Sequence, residues 1–197
     1  HMRPTLIILF LTITSNAFPT GQAGDILIYK GDTVKIHSTP LEFWSKIDSV
    51  RYDLFDNQDN SFDTSCWRRY IAYWVLENDS LFLTRIVSCH KTGLIADLNK
   101  FFPGEVKNKR VFASWFSELI NIPSGRLLEY IHMGFESIYE FEEEIVFSGG
   151  IFKKSTTYEN VVKKSDFWVM NPDKLHQIIN SMINWSVWDS ITALPLS

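Results

Sequence analysis

The stretch from Cys66 to Cys89, C-W-R-R-Y-I-A-Y-W-V-L-E-N-D-S-L-F-L-T-R-I-V-S-C, constrains the fold more than any other part of the chain. Two arms rich in Trp, Tyr, Ile, Val, Leu and Phe, which fit a pleated surface, flank the polar tetrad Glu77-Asn78-Asp79-Ser80. They predict two long antiparallel strands joined by Asn78-Asp79 as a two-residue turn. In that register Tyr70 faces Val87, Ile71 faces Ile86 and Trp74 faces Leu83. Alternation puts Trp67, Arg69, Ile71, Tyr73 and Val75 on one face and Arg68, Tyr70, Ala72, Trp74 and Leu76 on the other. Neither face is polar, so both are expected to be partly covered.

Other hairpins follow the same logic. Asp25–Lys30 and Val34–His37 flank the turn formers Gly31-Asp32-Thr33. Arg110–Phe116 has strand composition, with a short strand expected at Val50–Tyr52. Arg126–His132 and Ser137–Phe147 form a further pair around Met133–Glu136, and Gly149-Gly150 turns the chain into Ile151–Tyr158. Helices are predicted from Pro40, with Phe43, Trp44 and Ile47 on one face, over Leu94–Phe102, and from Asn171-Pro172 to Trp185. The expectation is an α+β fold: a twisted antiparallel sheet of hairpins with two or three packed helices. Polar residues from Ser49 to Thr64 read as a surface loop, and Glu142-Glu143-Glu144 as a solvated sheet edge.

The N-terminus has the form of an export signal. Arg3 precedes the apolar run Leu6–Leu11, and small residues at Gly21 and Ala23 suit cleavage before Gly24. The run is shorter than the roughly 20 apolar residues a helical membrane span needs, so no stable membrane anchor is expected. The expected division is therefore a signal peptide, residues 1–23, and one α+β domain, residues 24–197, in the periplasm or outside the cell. Removing 1–23 takes away Arg3 and no acidic residue, leaving 18 basic against 23 acidic side chains, a net charge of −5. A mildly acidic chain without a basic stripe argues against nucleic acid as partner.

Cys66 and Cys89 are the only cysteines, and in an exported chain two thiols at the open ends of a hairpin favour a disulfide. The predicted register sets them as diagonal neighbours, about 7–8 Å apart, so a bulge or a longer turn is needed to bring them together. Trp67-Arg68-Arg69-Tyr70 offers a stacking surface, although alternation sends its arginines to opposite faces. Tyr130-Ile131-His132-Met133-Gly134-Phe135-Glu136-Ser137-Ile138-Tyr139-Glu140 is the densest chemical cluster. His132 and Glu136 are the weak catalytic candidates; Trp67, Arg68, Arg69, Tyr130, His132 and Tyr139 are the binding candidates. No metal-ligand spacing, nucleophile elbow or phosphate loop is present, so no metal and no cofactor are expected.

The segments around W-R-R-Y-I-A-Y-W, V-F-A-S-W-F-S and Y-I-H-M-G-F-E-S-I-Y-E resemble a family of bacterial proteins, spanning roughly Gly24 to Tyr158. That family often has Gly where Arg69 stands, and the resemblance implies no activity and no site. The functional expectation rests on the residues: an exported non-catalytic binding protein of the immunity type, whose protein partner is an antibacterial toxin. The alternative is an envelope-directed hydrolase using His132 and Glu136.

Overall fold

The computed structural model describes residues 21–59 and 61–161. Eight strands form one mixed sheet. They are β1 (Asp25–Tyr29), β2 (Asp32–Ile36), β3 (Tyr70–Glu77), β4 (Ser80–Ser88), β5 (Val111–Phe112), β6 (Leu119–Glu129), β7 (Ile138–Ser148) and β8 (Ile151–Glu159). The order is β2-β1-β3-β4-β8-β7-β6, with β5 beside β4. Three hairpins turn on residue pairs with positive φ: Lys30-Gly31, Asn78-Asp79 and Gly149-Gly150. This twist matches the right-handed twist of the flanking strands.

The sheet bends at one corner and closes at the opposite end. β4 and β8 are paired only at Ser80 and Ile151, where Leu81 N–H donates to Gly150 O at 2.9 Å. Beyond β2, His37 N–H donates to Asn121 O at 2.8 Å, and Ser38 Oγ accepts from Asn121 N–H at 3.0 Å. Tyr29 Oη adds a bond to Glu143 at 2.9 Å. The space so enclosed holds Leu27, Tyr70, Trp74, Leu81, Leu83, Phe116, Ile120, Ile145 and Phe147. Burying each such side chain contributes ~1.5–3 kcal/mol, which outweighs the weak propensity of any single strand.

Several expectations are corrected. The fold is predominantly β, not an α+β sheet carrying two or three packed helices. The α-helical segments among the described residues are single turns, α1 (Ile47–Val50) and α2 (Leu98–Phe101). Pro40 does open a helical turn, but it is a 3₁₀ turn ending at Phe43, which is exposed while Leu41 and Trp44 are buried. Val50–Tyr52, expected as a strand, is helical. Residues 94–96 extend along β4 instead of coiling: Ser88 N–H donates to Leu94 O and Ala96 N–H to Ile86 O, both at 2.9 Å. An open strand edge offers those backbone groups partners that a short helix lacks. The segment from Asn171 to Trp185 lies outside the described residues.

The sheet is also not wholly antiparallel, because β1 runs parallel to β3, with Leu27 opposite Trp74. Nor is the acidic run an edge: β7 lies between β6 and β8, Glu142 is buried, and Glu143 takes hydrogen bonds from Tyr29 and Lys30.

Candidate functional site

The central hairpin departs from its predicted register at one residue. Trp74 faces Leu83 as expected, but Tyr73 faces Arg85, so Thr84 is an extra residue in β4. Every pair beyond it moves by one, and Tyr70 meets Ser88. Below Tyr70 the strand gives way to a 3₁₀ turn, Thr64–Cys66, and Arg69 takes a φ of 71°. Bulge and turn together supply the shift that the thiols require. Cys66 and Cys89 form the disulfide, with Cα atoms 6.5 Å apart.

The same turn decides the fate of the two arginines. Arg68, offered by the sequence as a binding residue, is 1% exposed. Its Nη2 donates to Asp25 Oδ1 at 2.8 Å and to Ala23 O at 2.6 Å. Asp25 also accepts from Ala72 N–H at 3.1 Å and Trp74 Nε1 at 3.0 Å. Burial pushes the Asp25 carboxyl up to about 6, with Arg68 opposing that rise. Beside this pair Tyr70 donates to Glu42, which also takes two bonds from Arg51 at 2.7 Å. Burial first, then the Glu42 carboxylate, hold the Tyr70 phenol well above its ordinary value. These groups are spent on one another.

Two loops that carry exposed aromatic side chains are joined by a short segment, Gly21–Ala23. Gln22 N–H donates to Gly134 O at 2.9 Å, and Gln22 Nε2 to Thr64 O at 2.8 Å. Ala23 N–H donates to Ser65 O at 2.7 Å. The segment therefore ties the loop before β3 to the loop between β6 and β7. On one side stand Phe62, 75% exposed, and Trp67, with the Arg51 guanidinium 4.8 Å from its ring centre. Arg69 lies over Tyr52 at 5.2 Å and donates to Asp59 O. On the other side stand the exposed Tyr130, His132 and Met133. The ring of His132 meets that of Tyr130 edge-on at 4.4 Å. Tyr139 is edge-on to His37 at 5.5 Å, and Phe135 stacks on the same His37 ring at 5.2 Å. Of the sequence candidates, Arg68 bonds to this segment at Ala23 O but is buried, Tyr130 approaches it at Gly21, and His132 meets Tyr130, whereas Arg69 is engaged with Tyr52 and Asp59 and Tyr139 with His37. Among the described residues no hydrogen bond links His132 to Glu136, whose backbone N–H is used by Met133 O.

One constellation was missed by sequence reasoning. Asp59 accepts from Ser88 Oγ, from Ser61 N–H at 3.0 Å, and lies 3.1 Å from His90 Nδ1. Burial opposes ionisation of Asp59, but these bonds outweigh it and hold the carboxyl below its ordinary value. The residue types are those of a serine hydrolase, yet the wiring is not. The hydroxyl donates to the carboxylate, not to imidazole, and accepts the N–H groups of His90 and Lys91. His90 Nε2 is buried and has no hydrogen-bond partner among the described residues, which closes it to substrate. The only sequence signal was the proximity of S-C-H to the second cysteine, and nothing there pointed to Asp59.

Among the described residues no group of three His, Cys, Asp or Glu is placed to hold a metal ion, and no helix is long and apolar enough to cross a membrane. No family model, curated protein or solved structure matches the chain, so any function assigned to it must come from its own residues.

Proposed function

We propose that the chain is an exported, non-catalytic binding protein that docks a protein partner through the aromatic end around Gly21–Ala23. The observation that carries this reading is the division of labour between buried and exposed groups. Asp25, Arg68, Asp59 and Ser88 are buried and bonded to one another or to backbone, whereas Phe62, Trp67, Tyr130 and Met133 are exposed on two loops tied together. Aromatic anchors beside arginine are the side chains that dominate protein–protein affinity. The finer reading is an immunity-type protein that blocks an antibacterial toxin in the periplasm. It is supported by the export-type N-terminus and the disulfide.

The test is affinity capture from the secreted proteins of the same organism, with wild type beside Phe62→Ala and Tyr130→Ala. Wild type should retain one protein partner. Each variant should keep its thermal transition and lose affinity by about 30-fold, the equivalent of ~2 kcal/mol for a truncated anchor. Capture of no protein, together with turnover of envelope material that His132→Ala abolishes, would replace this reading with the hydrolase.

A further inference from the structure

We infer that the export signal is cut between Ala17 and Phe18, and that Gly21–Ala23 stays in the mature protein as the strap that holds its binding surface together. This rests on the export reading above, and it moves the cut away from Gly24, where the small residues Gly21 and Ala23 alone would put it.

Three observations carry it. First, Gly21–Ala23 is built into the fold. Its backbone and the Gln22 side chain bond to Thr64, Ser65 and Gly134, and a Cβ on Gly21 would lie 3.8 Å from Tyr130 Oη. Without these residues nothing described here ties the Trp67 loop to the Tyr130 loop. Second, Ala23 O is one of the two acceptors of Arg68 Nη2, on a guanidinium that is 1% exposed and whose Nε already has no partner. Losing Ala23 would leave more of a buried cation unsatisfied. Third, a cut before Gly24 turns the Gly24 nitrogen into an α-ammonium. Gly24 is buried and so tightly packed that a Cβ there would fall 2.2 Å from Ile36 O. A second cation would then be buried one residue from Asp25, which already serves Arg68.

Ser15-Asn16-Ala17 supplies the alternative. It is a small-x-small triplet directly after the apolar stretch, and cutting after it leaves Phe18, Pro19 and Thr20 ahead of the strap. The new charge then starts three residues before Gly21.

The experiment expresses the full chain with its own leader in a Gram-negative host and reads the N-terminus of the periplasmic product by intact mass and sequencing. The expected product begins at Phe18, six residues longer than one beginning at Gly24. Ala17→Tyr should stop processing, because signal peptidase needs a small residue there, whereas Ala23→Tyr should be processed normally. A periplasmic product beginning at Gly24, or one that Ala23→Tyr abolishes, overturns the inference and leaves the export reading intact. An uncut chain confined to the cytoplasm overturns both.

Discussion

Replacing Arg68 by Met should destabilise the protein in a way that depends on pH. Among the described residues the guanidinium is the only cation bonded to Asp25, which is wholly buried. Removing one partner of a buried pair costs about 3–5 kcal/mol, because the other charge is left in a medium that solvates it poorly. With a urea slope near 2 kcal/mol/M, the midpoint should fall by roughly 2 M at neutral pH. Burial already holds the Asp25 carboxyl up to about 6 against an ordinary 3.8. The folded state therefore binds that proton more tightly than the unfolded state. The contribution of this group is fully present below pH 3.8 and is lost as pH rises through 6. Without Arg68, which opposes the rise, the carboxyl moves higher still. The loss in Arg68→Met should thus shrink as pH falls from 7.5 towards ~4, where Asp25 is neutral and needs no cation. Adding Asp25→Asn to Arg68→Met should recover most of the loss at neutral pH. Asp25→Asn alone should cost at least as much as Arg68→Met, since it strands a buried guanidinium that cannot give up its charge, whereas the carboxyl left by Arg68→Met can take up a proton. Urea unfolding of the four proteins at two pH values is the assay. A loss of equal size at both, with no recovery in the double variant, would show that packing and the bond to Ala23 matter and the charge does not.

Reducing the Cys66–Cys89 bond, or replacing both cysteines by Ala, should lower stability by about 3 kcal/mol, the loop-closure value for a separation of 23 residues; an unchanged urea midpoint would refute it. Gly150→Ala should cost about 1–3 kcal/mol through overpacking, because Gly150 has φ 76° and a Cβ there would fall 2.5 Å from Ala113 O. Thermal unfolding checks it, and a neutral result would mean that the β4–β8 corner is looser than described.

Local signals carried much of the fold. Asn78-Asp79 and Gly149-Gly150 were legible because few residues accept positive φ at two successive positions. The grouping of Tyr70, Ala72 and Trp74 on one face of β3 was legible too, but with neither face polar the sequence did not tell which is inward; all three are buried. What was hidden is non-local. No residue near β1 signals that it will lie parallel to β3, some forty positions later in the chain. Thr84 looks like any strand residue, yet as the bulge it moves Tyr70 from Val87 to Ser88. Arg69 at positive φ ends the alternation that made Trp67 and Arg69 strand neighbours, yet Arg68 is buried beside Asp25 on the side of Tyr70 and Trp74, where alternation also puts it. Trp67, Tyr130 and His132, the binding candidates of their motifs, are exposed, and the segment that bonds to both of their loops, Gly21–Ala23, lies within the expected leader, where sequence alone gives it no structural part. Asp59 and His90 come from a polar loop and a strand end, 31 residues apart, with no shared pattern to link them.

The parallel pairing raises a question that the Asp25 cluster answers. A hairpin fixes its register through its turn, but β1 and β3 are joined by a long excursion that leaves their alignment open. Slipping β1 by one residue would turn Leu27 out of the core and bring Ile26 or Ile28 in, exchanging one apolar side chain for another at little cost in burial. Asp25 cannot slip so cheaply. Its carboxylate takes Arg68, Ala72 N–H and Trp74 Nε1 at once, all from β3 or its lead-in, and a shifted Asp25 would be buried without them. The pair thus does for β1 what Asn78-Asp79 does for β3 and β4, and specifying register is the best-attested use of a buried polar group. It also sets where Gly21–Ala23 falls, since the strap leads directly into Asp25. Replacing the pair by an apolar one, Asp25→Leu with Arg68→Met, should therefore separate stability from register. Global stability should stay within about 1–4 kcal/mol of wild type, on either side of it, since apolar replacements of whole buried pairs are often neutral or favourable. The amides of Ile26 and Ile28 should nevertheless exchange with solvent at least tenfold faster, while those of Val75 and Phe82 keep their protection. Uniform protection across β1, β3 and β4 in that variant would show that packing of Leu27 alone sets the alignment, and that the strap needs no ionic anchor.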